Sequence, residues 1–361
     1  MKKYLFIRLS SLEIVDNCHI RNPRPPFELG YLISIANNCN CQTKLIDLFV
    51  SNKTLGNLMK ETFGFAPDVI VLSVLSFAVK LSLNFAETVK RRLYTEILVV
   101  GQHATARPED FIFDKSPIDL CIAGEPEVPF LGFVQSNSRF NEIRNLKSIY
   151  SLYNRNKIIH TVENLDALPF FPHHLFMHGY NSYYSIRAYK KLKWGYMLTS
   201  RGCPHSCIFC STVIRESYGQ NVRLRSPDSV MKEIEYLVKL GVNIITFCDD
   251  NFTALRNHVK GICAGILRRN INISWIIHAR IDNLDDSLMA MMKKAGCVLL
   301  RVGIESSSDR LVKVLRKTSG NFNWANRTRE VFYMAKRIGL PINAFFIVGI
   351  PTSTYKEVLK H

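Results

Sequence analysis

Three cysteines stand at the spacing C-x3-C-x2-C within Ser200-Arg201-Gly202-Cys203-Pro204-His205-Ser206-Cys207-Ile208-Phe209-Cys210-Ser211. They follow a short apolar run, Tyr196 to Leu198, which gathers three thiolates on one loop at a strand's end. Thiolates favour iron-sulfur clusters and zinc, and either usually takes four protein ligands. No fourth cysteine stands nearby. A three-thiolate cluster leaves one iron open for something else. Zinc would have to borrow a ligand such as His205, and reduced core thiols are the third reading.

The elements that must position this loop alternate along the chain. From Tyr196 onward, strands are expected at Tyr196 to Thr199, Asn243 to Cys248, Ser274 to His278, Val298 to Gly303 and Ile342 to Val348. Helices are expected at Pro227 to Leu240, Asn257 to Arg269, Asp285 to Ala295, Asp309 to Leu315 and Ala325 to Ile338. This is the period of a βα barrel, whose chemistry sits at the carboxyl ends of its strands. Asp249 and Asp250 fall at one such end, suited to binding a cation, to proton transfer or to capping a turn. Arg280 falls at another, where its fork of donors suits a carboxylate or an ion pair with Asp282.

Residues 1 to 140 alternate in the same way at a shorter period, which predicts a doubly wound, flavodoxin- or Rossmann-like α/β domain. Strands are expected at Tyr4 to Leu9, Lys44 to Leu48, Val69 to Val74, Ile97 to Gly101 and Ile118 to Ala123. Helices are expected near Leu29 to Asn37, Leu55 to Thr62, Leu81 to Arg92 and Val128 to Gln135. Ligands of such sheets bind beyond the strands' carboxyl ends, so Pro23 to Gly30, Ser73 to Phe77, Gly101 to Pro108 and Gly124 to Val128 are the loops of interest. Residues 141 to 194 read as a connector. It holds a hairpin around Asn154-Arg155-Asn156, a segment Leu165 to Pro172 whose two prolines bar a regular element, and loop histidines His173, His174 and His178.

A chain of 361 residues has room for two domains, and 47% hydrophobic residues suffice for two cores. No apolar run reaches the 18 or so residues that a membrane span needs. Met1 to Arg8 reads as a first strand rather than a signal peptide, which makes a cytoplasmic enzyme the expectation. Ten cysteines then speak for metal and buried thiols rather than disulfides. The net charge of +17 invites a nucleic-acid partner. The basic residues are nevertheless spread along the chain, with short knots only at Lys90-Arg91-Arg92, Lys190-Lys191 and Arg268-Arg269, so solvated helix faces account for most of them.

The cysteine spacing, with Phe209 just before the third cysteine, resembles the cluster loop of the radical S-adenosylmethionine (radical SAM) enzymes. The resemblance implies a 4Fe-4S cluster on Cys203, Cys207 and Cys210. SAM would be chelated on the open iron and split by one electron to a 5′-deoxyadenosyl radical. His278-Ala279-Arg280-Ile281-Asp282 resembles the family's "A-R-x-D" turn, and Gly303-Ile304-Glu305-Ser306 its "G-I-E-S" passage. The second implies Glu305 and Ser306 near SAM, where a carboxylate can accept two ribose hydroxyls. Gly349 and Pro351 match the passage alongside the adenine, although Thr352 and Ser353 depart from the usual "G-x-P-G-E-T". Asp249 and Asp250 would then face SAM's amino group. On this likeness the barrel is a partial TIM-like one lacking its last unit. A gene fragment, a partner-completed barrel and a truncated pseudo-enzyme are all compatible with that.

Upstream, Pro25-Pro26-Phe27-Glu28-Leu29-Gly30-Tyr31-Leu32, Pro67-Asp68-Val69-Ile70, Gly101-Gln102-His103-Ala104-Thr105 and Gly124-Glu125-Pro126-Glu127 resemble the cobalamin-binding domain of one branch of that family. This implies cobalamin near Ser73, Ser76, Gly101, Gly124 and Glu125, where small residues permit close backbone approach. The cobalt-ligating D-x-H-x-x-G is lacking: Asp16-Asn17-Cys18-His19 has the wrong spacing and no following glycine. The implied reaction is methylation of an unactivated carbon of a small molecule or peptide, with an electron donor such as flavodoxin or ferredoxin. The rivals are cobalamin-associated ring formation or rearrangement, and a truncated cofactor-binding or partner subunit. Methylthiolation of tRNA fits less well, because those enzymes carry extra cluster cysteines, a set that Cys18, Cys39 and Cys41 do not obviously make.

Overall fold

The computed structural model describes residues 1–10, 24–51, 53–137, 149–155, 159–177, 192–211, 217–318 and 322–359. Of the sequence expectations, Cys18, His19, Pro23, Ser148, Asn156, Lys157, His178, Lys190 and Lys191 lie outside the described residues. The rest fall into two compact units. The first lies within Met1–Glu163, Ala167–Lys190 and Thr212–Tyr218, and the second within Asn164–Asp166, Lys191–Ser211 and Gly219–His361.

In the first unit the strands are β1 (Lys3–Arg8), β2 (Gln42–Asp47), β3 (Val69–Ser73), β4 (Glu96–Val100), β5 (Leu120–Ile122) and β6 (Ile149–Tyr150). Their order among the described residues is β2-β1-β3-β4-β5-β6. β1 to β5 run parallel and β6 lies antiparallel to β5. The apolar runs Val69–Ser73 and Leu120–Ile122 are buried along their whole length, as strands covered on both faces require. One face packs Leu5, Ile70, Leu72 and Val99 against Leu58, Phe85 and Val89 of the crossover helices Leu55–Phe65 and Val79–Lys90. On the other, Phe130 of the helix Glu127–Gln135 meets Tyr4 and Phe6 edge-on, with ring centroids 5.9 and 6.1 Å away.

One local expectation changes: the stretch Gly101 to Pro108, read as a loop, contains a short helix, Gln102–Ala106. Of the expected hairpin, the described residues Ser151–Asn154 make a reversal whose backbone groups bond at 2.9 and 3.3 Å. Among the described residues, Ile149 and Tyr150 pair with β5, and His160 makes a parallel bridge to Gly124.

The second unit has β7 (Trp194–Met197), β10 (Ile244–Phe247), β11 (Ser274–Ala279), β12 (Cys297–Glu305) and β13 (Ile342–Phe346). Among the described residues they form a parallel sheet in the order β13-β12-β11-β10-β7, a partial barrel. The short pair β8 (Ser200–Arg201) and β9 (Arg223–Leu224) stands apart as an antiparallel ribbon. The helices Pro227–Lys239, Arg256–Arg268, Asp286–Lys294, Asp309–Val314 and Trp324–Ile338 follow the predicted ones within two residues. Four of them start on a side-chain cap, from Ser226, Asp285, Ser308 and Asn323. Phe247, Phe252 and Trp275 fill the core with ring centroids 4.9 to 5.8 Å apart. Among the described residues no helix is long and apolar enough to cross a membrane.

The carboxyl end of β7 is fastened by buried polar groups. Asp249, beyond β10, accepts from the Thr199 amide (3.0 Å), the Thr199 hydroxyl (2.8 Å) and the Ser200 hydroxyl (2.5 Å). The Thr199 hydroxyl in turn accepts from His258 Nε2 at 3.0 Å. Burial, with Arg225 adding to it, pulls His258 down to about 4, so the folded chain holds this ring neutral. A histidine whose basicity is lowered by folding stabilises fully above its unfolded value, near 6.5, and that contribution fades as pH falls toward 4. Asp249, pushed up by burial, acts in the opposite sense. The difference in unfolding free energy between the protein and its His258→Gln variant isolates the histidine. From urea melts it should shrink by about 3 kcal/mol between pH 7 and pH 4. A difference that stays constant over that range would mean His258 is not held neutral.

Candidate functional site

The cysteine loop begins where β8 ends. Gly202 has φ +93°, and a Cβ on it would stand 2.4 Å from the Asn221 carbonyl oxygen, so only glycine lets the chain turn into Cys203 there. The Cys203 amide donates to the Gly219 carbonyl (3.4 Å) and the Cys210 amide to the Cys207 carbonyl (3.2 Å). Between them, the Ile208 amide donates to the carbonyl of Leu315 at 3.0 Å. Cys207 is buried, whereas Cys203 and Cys210 are partly exposed. Burial raises the Cys203 thiol above its ordinary value, and the nearby charge of Asp250 adds to the rise.

Among the described residues, no three His, Cys, Asp or Glu side chains are gathered closely enough to hold a metal ion. The three sulfurs thus share a loop without sharing a centre. The chemistry of the donor set still suits a thiolate-bound cluster. Arg280 Nη1 points an N–H at Cys207 Sγ at 3.5 Å. His205, the ligand that zinc would borrow, is held below its ordinary value by burial and by Arg280, and so is neutral at pH 7.

Of the residues expected around SAM, Arg280 is 7% exposed and already committed within the chain. Its Nε and Nη2 meet the two carboxylate oxygens of Asp282 at 3.0 and 2.7 Å, and Nη2 also donates to the Lys317 carbonyl at 2.6 Å. The fork expected to take a ligand's carboxylate is therefore filled by Asp282. Asp249 is turned inward, 2% exposed, with Oδ2 unpartnered, while its neighbour Asp250 is exposed. Glu305 has φ +64°, a left-handed conformation uncommon for a carboxylic residue, and its Oε1 accepts from Lys317 Nζ at 2.7 Å. Ser306 is fully buried and accepts from the Ser308 amide at 3.1 Å. Gly349 and Pro351 lie on an exposed turn beyond β13. Arg310 holds that turn by donating to the Thr352 carbonyl (2.8 Å) and to both Glu357 oxygens (3.0 and 2.7 Å).

Several site residues escaped the sequence reading. Lys317 is buried, lying 5.5 Å from the Phe209 ring centroid and 5.4 Å from that of Trp324. In sequence it follows Arg316 just past a helix, where cations ordinarily sit in water against the helix terminus, so nothing distinguished it. Thr199, Ser200 and His258, which hold the strand beneath the loop, carried no motif either.

In the first unit, the expected residues separate into two sets. Ser73 is buried at the end of β3 and donates to Glu28 Oε1 at 2.5 Å. Gly101, at φ +100°, ends β4 where a Cβ would press on Ser73 Oγ at 3.3 Å. Ser76 is exposed and lies 2.9 Å from His103 Nδ1, whose Nε2 lies 2.9 Å from Asp110 Oδ2. Gly124 and Glu125 are packed elsewhere. A Cβ on Gly124 would meet Ile159 at 2.6 Å, and the fully buried Glu125 accepts from the Val162 amide at 2.6 Å. Their visible work is to fix residues 159–162 to the sheet. At this end Ser76 presents an exposed hydroxyl beside the backbone of Gly101, room that would suit the close approach of a broad ligand.

Comparison with known proteins agrees with this architecture. Residues 197–361 match the family model for the radical SAM superfamily. An uncharacterized methyltransferase of Pyrococcus horikoshii is 27% identical, aligned over 92% of this chain and 71% of the relative. Among solved structures, the cobalamin-dependent S-adenosylmethionine radical enzyme OxsB, with aqua-cobalamin and S-adenosylmethionine bound, superposes with a TM-score of 0.76. It is 19% identical, over 96% of this chain and 49% of that one. This chain thus spans about half the length of OxsB. The radical S-adenosylmethionine methyltransferase TsrM of Kitasatospora setae superposes with a TM-score of 0.75 at 16% identity, over 99% of this chain and 70% of that one. Both likenesses establish the fold. With its three-cysteine loop at the strand ends of a parallel partial barrel, the segment 197–361 belongs to the radical SAM superfamily.

Proposed function

We propose that the chain is a cobalamin-dependent radical SAM methyltransferase acting on an unactivated carbon of a small molecule or peptide. The observation that carries the reading is the loop of Cys203, Cys207 and Cys210, pinned at the carboxyl end of a radical SAM barrel with Arg280 against Cys207. Cys203, Cys207 and Cys210 would hold a 4Fe-4S cluster. Glu305, Ser306, Asp250, Gly349 and Pro351 are the candidates to bind SAM, and Ser73, Ser76 and Gly101 to bind cobalamin. Bound together, these groups supply hydrogen-atom abstraction and a transferable methyl group. The protein's own share is to orient them and exclude water. Glu305 keeps Oε2 for a hydroxyl-bearing ligand while Lys317 takes Oε1. Asp249, whose Oδ1 is taken by Thr199 and Ser200, serves the site by fixing the strand that feeds the loop. A cytoplasmic setting and a flavodoxin- or ferredoxin-type electron donor complete the proposal.

Anaerobic reconstitution with iron, sulfide, SAM and reductant is the direct test. The protein should form 5′-deoxyadenosine or S-adenosylhomocysteine, and Cys207→Ala should lose cluster iron. An intact cluster that yields neither product ends the catalytic reading. Titration with hydroxocobalamin should change the corrin spectrum even where the barrel is inactive. An unchanged spectrum removes cobalamin from the assignment.

The loop geometry gives a sharper test. Gly202→Ala should lose more than half of the iron bound per chain while far-ultraviolet circular dichroism is preserved, because the new Cβ collides with backbone at Asn221. Gly339→Ala, at the end of the helix Trp324–Ile338 with φ +70° and open space around it, serves as the control and should keep its iron. Equal iron in the two variants would show that the turn into Cys203 does not set the ligand geometry.

A further inference from the structure

The second unit buries two cations beside the cysteine loop. Lys317 and Arg280 have side chains 6% and 9% exposed. Each is matched by one carboxylate, Lys317 by Glu305 at 2.7 Å and Arg280 by Asp282 at 2.7 Å. The two cations are linked, since Arg280 Nη2 donates to the carbonyl of Lys317 at 2.6 Å. Each also reaches the loop. Arg280 Nη1 stands 3.5 Å from Cys207 Sγ, and Lys317 Nζ lies 5.5 Å from the ring centroid of Phe209, the residue before Cys210. Trp324 closes the other side, with Lys317 and Arg280 at 5.4 and 5.7 Å from its ring. Gly303 makes room for the arrangement, because a Cβ there would stand 2.2 Å from Glu305 Oε1 and 2.8 Å from Lys317 Nζ.

Burying an ion pair seldom stabilises a fold by itself, because the desolvation of both charges offsets their attraction. Two adjacent pairs of this kind, built around one loop and needing a left-handed glutamate, call for another use. We infer that Lys317, Glu305 and Arg280 set the reduction potential of the cluster that the loop carries. The inference rests on the cluster reading above. A cluster on three thiolates becomes more negative by one charge when an external one-electron donor reduces it. A buried cation nearby stabilises that added charge more strongly than a surface one would, because little water screens it. An N–H aimed at a ligating sulfur acts in the same direction. Lys317 and Arg280 thus raise the potential, and Glu305 partly cancels Lys317.

The test is an EPR-monitored redox titration of the reconstituted protein without SAM, which keeps any part of Glu305 in SAM binding out of the measurement. Iron and sulfide per chain are measured alongside. Lys317→Met should shift the midpoint to more negative values and Glu305→Gln to more positive ones, each with unchanged iron content. Opposite shifts from two halves of one ion pair are not what a purely structural role produces. Lys317→Arg should stay near the wild-type midpoint, and this comparison together with Glu305→Gln decides the matter if Lys317→Met fails to fold. Full iron with midpoints that do not move, or that move the same way in both directions of charge change, overturns the inference. Absence of any cluster signal in the wild-type protein overturns the cluster reading with it, so the two failures are told apart.

Discussion

A loop that offers three thiols to a cofactor has to be held by something other than those thiols. Here the holding is done by the turn after the helix Asp309–Val314. Ile208 in the middle of the loop donates its amide to Leu315, and Arg280 ties the carbonyl of Lys317 to the sulfur of Cys207. Each such bond contributes only about 1 kcal/mol net. Their value lies in where they lead. Through Asp249 the loop's root is fixed from β10, through Arg280 its middle is fixed from β11, and through Lys317 and Glu305 it is fixed from β12. The carboxyl ends of three successive strands converge on seven or so residues, which is why a parallel barrel is a suitable frame for the loop.

The regular elements were legible because parallel strands and amphipathic helices write their periods into the sequence. Val69–Ser73 and Leu120–Ile122 are buried on both faces and read as unbroken apolar runs, and helices such as Pro227–Lys239 announce their starts with a cap and a proline. What failed to register was short or paired at long range. β8 and β9 have two residues each and meet across the whole cysteine loop, so neither carries a period of its own. The segment about Ile149 alternates as a hairpin strand would, but its partner is β5, and alternation does not tell one partner from another.

The site was legible by residue type and not by orientation. Asp249 and Asp250 are adjacent and chemically identical, yet one is sealed under β7 and the other faces solvent. Both lie beyond the end of β10, where no strand period fixes which way a side chain faces, so the pair alone does not reveal their roles. The sequence reading of Arg280 left an ion pair with Asp282 open, and that is how its fork is used. Lys317 shows the opposite error, since a lysine's long apolar stem and charged head give no sign in sequence of which end will be buried.

The first unit poses a different question, how a corrin could be received without the missing D-x-H-x-x-G. His103 follows the glycine of β4 and is the natural substitute to consider. Its ring is not available for that purpose, because Nδ1 is shared with Ser76 and Nε2 with Asp110, and Phe111 stands edge-on to it at 5.6 Å. Ligating cobalt through either nitrogen would break one of those bonds and, for Nε2, strip the imidazole of the carboxylate that orients it. The exposed member of the group is the Ser76 hydroxyl, with Ser73 and Gly101 beside it at the strand ends. That surface offers a hydroxyl and bare backbone rather than an imidazole.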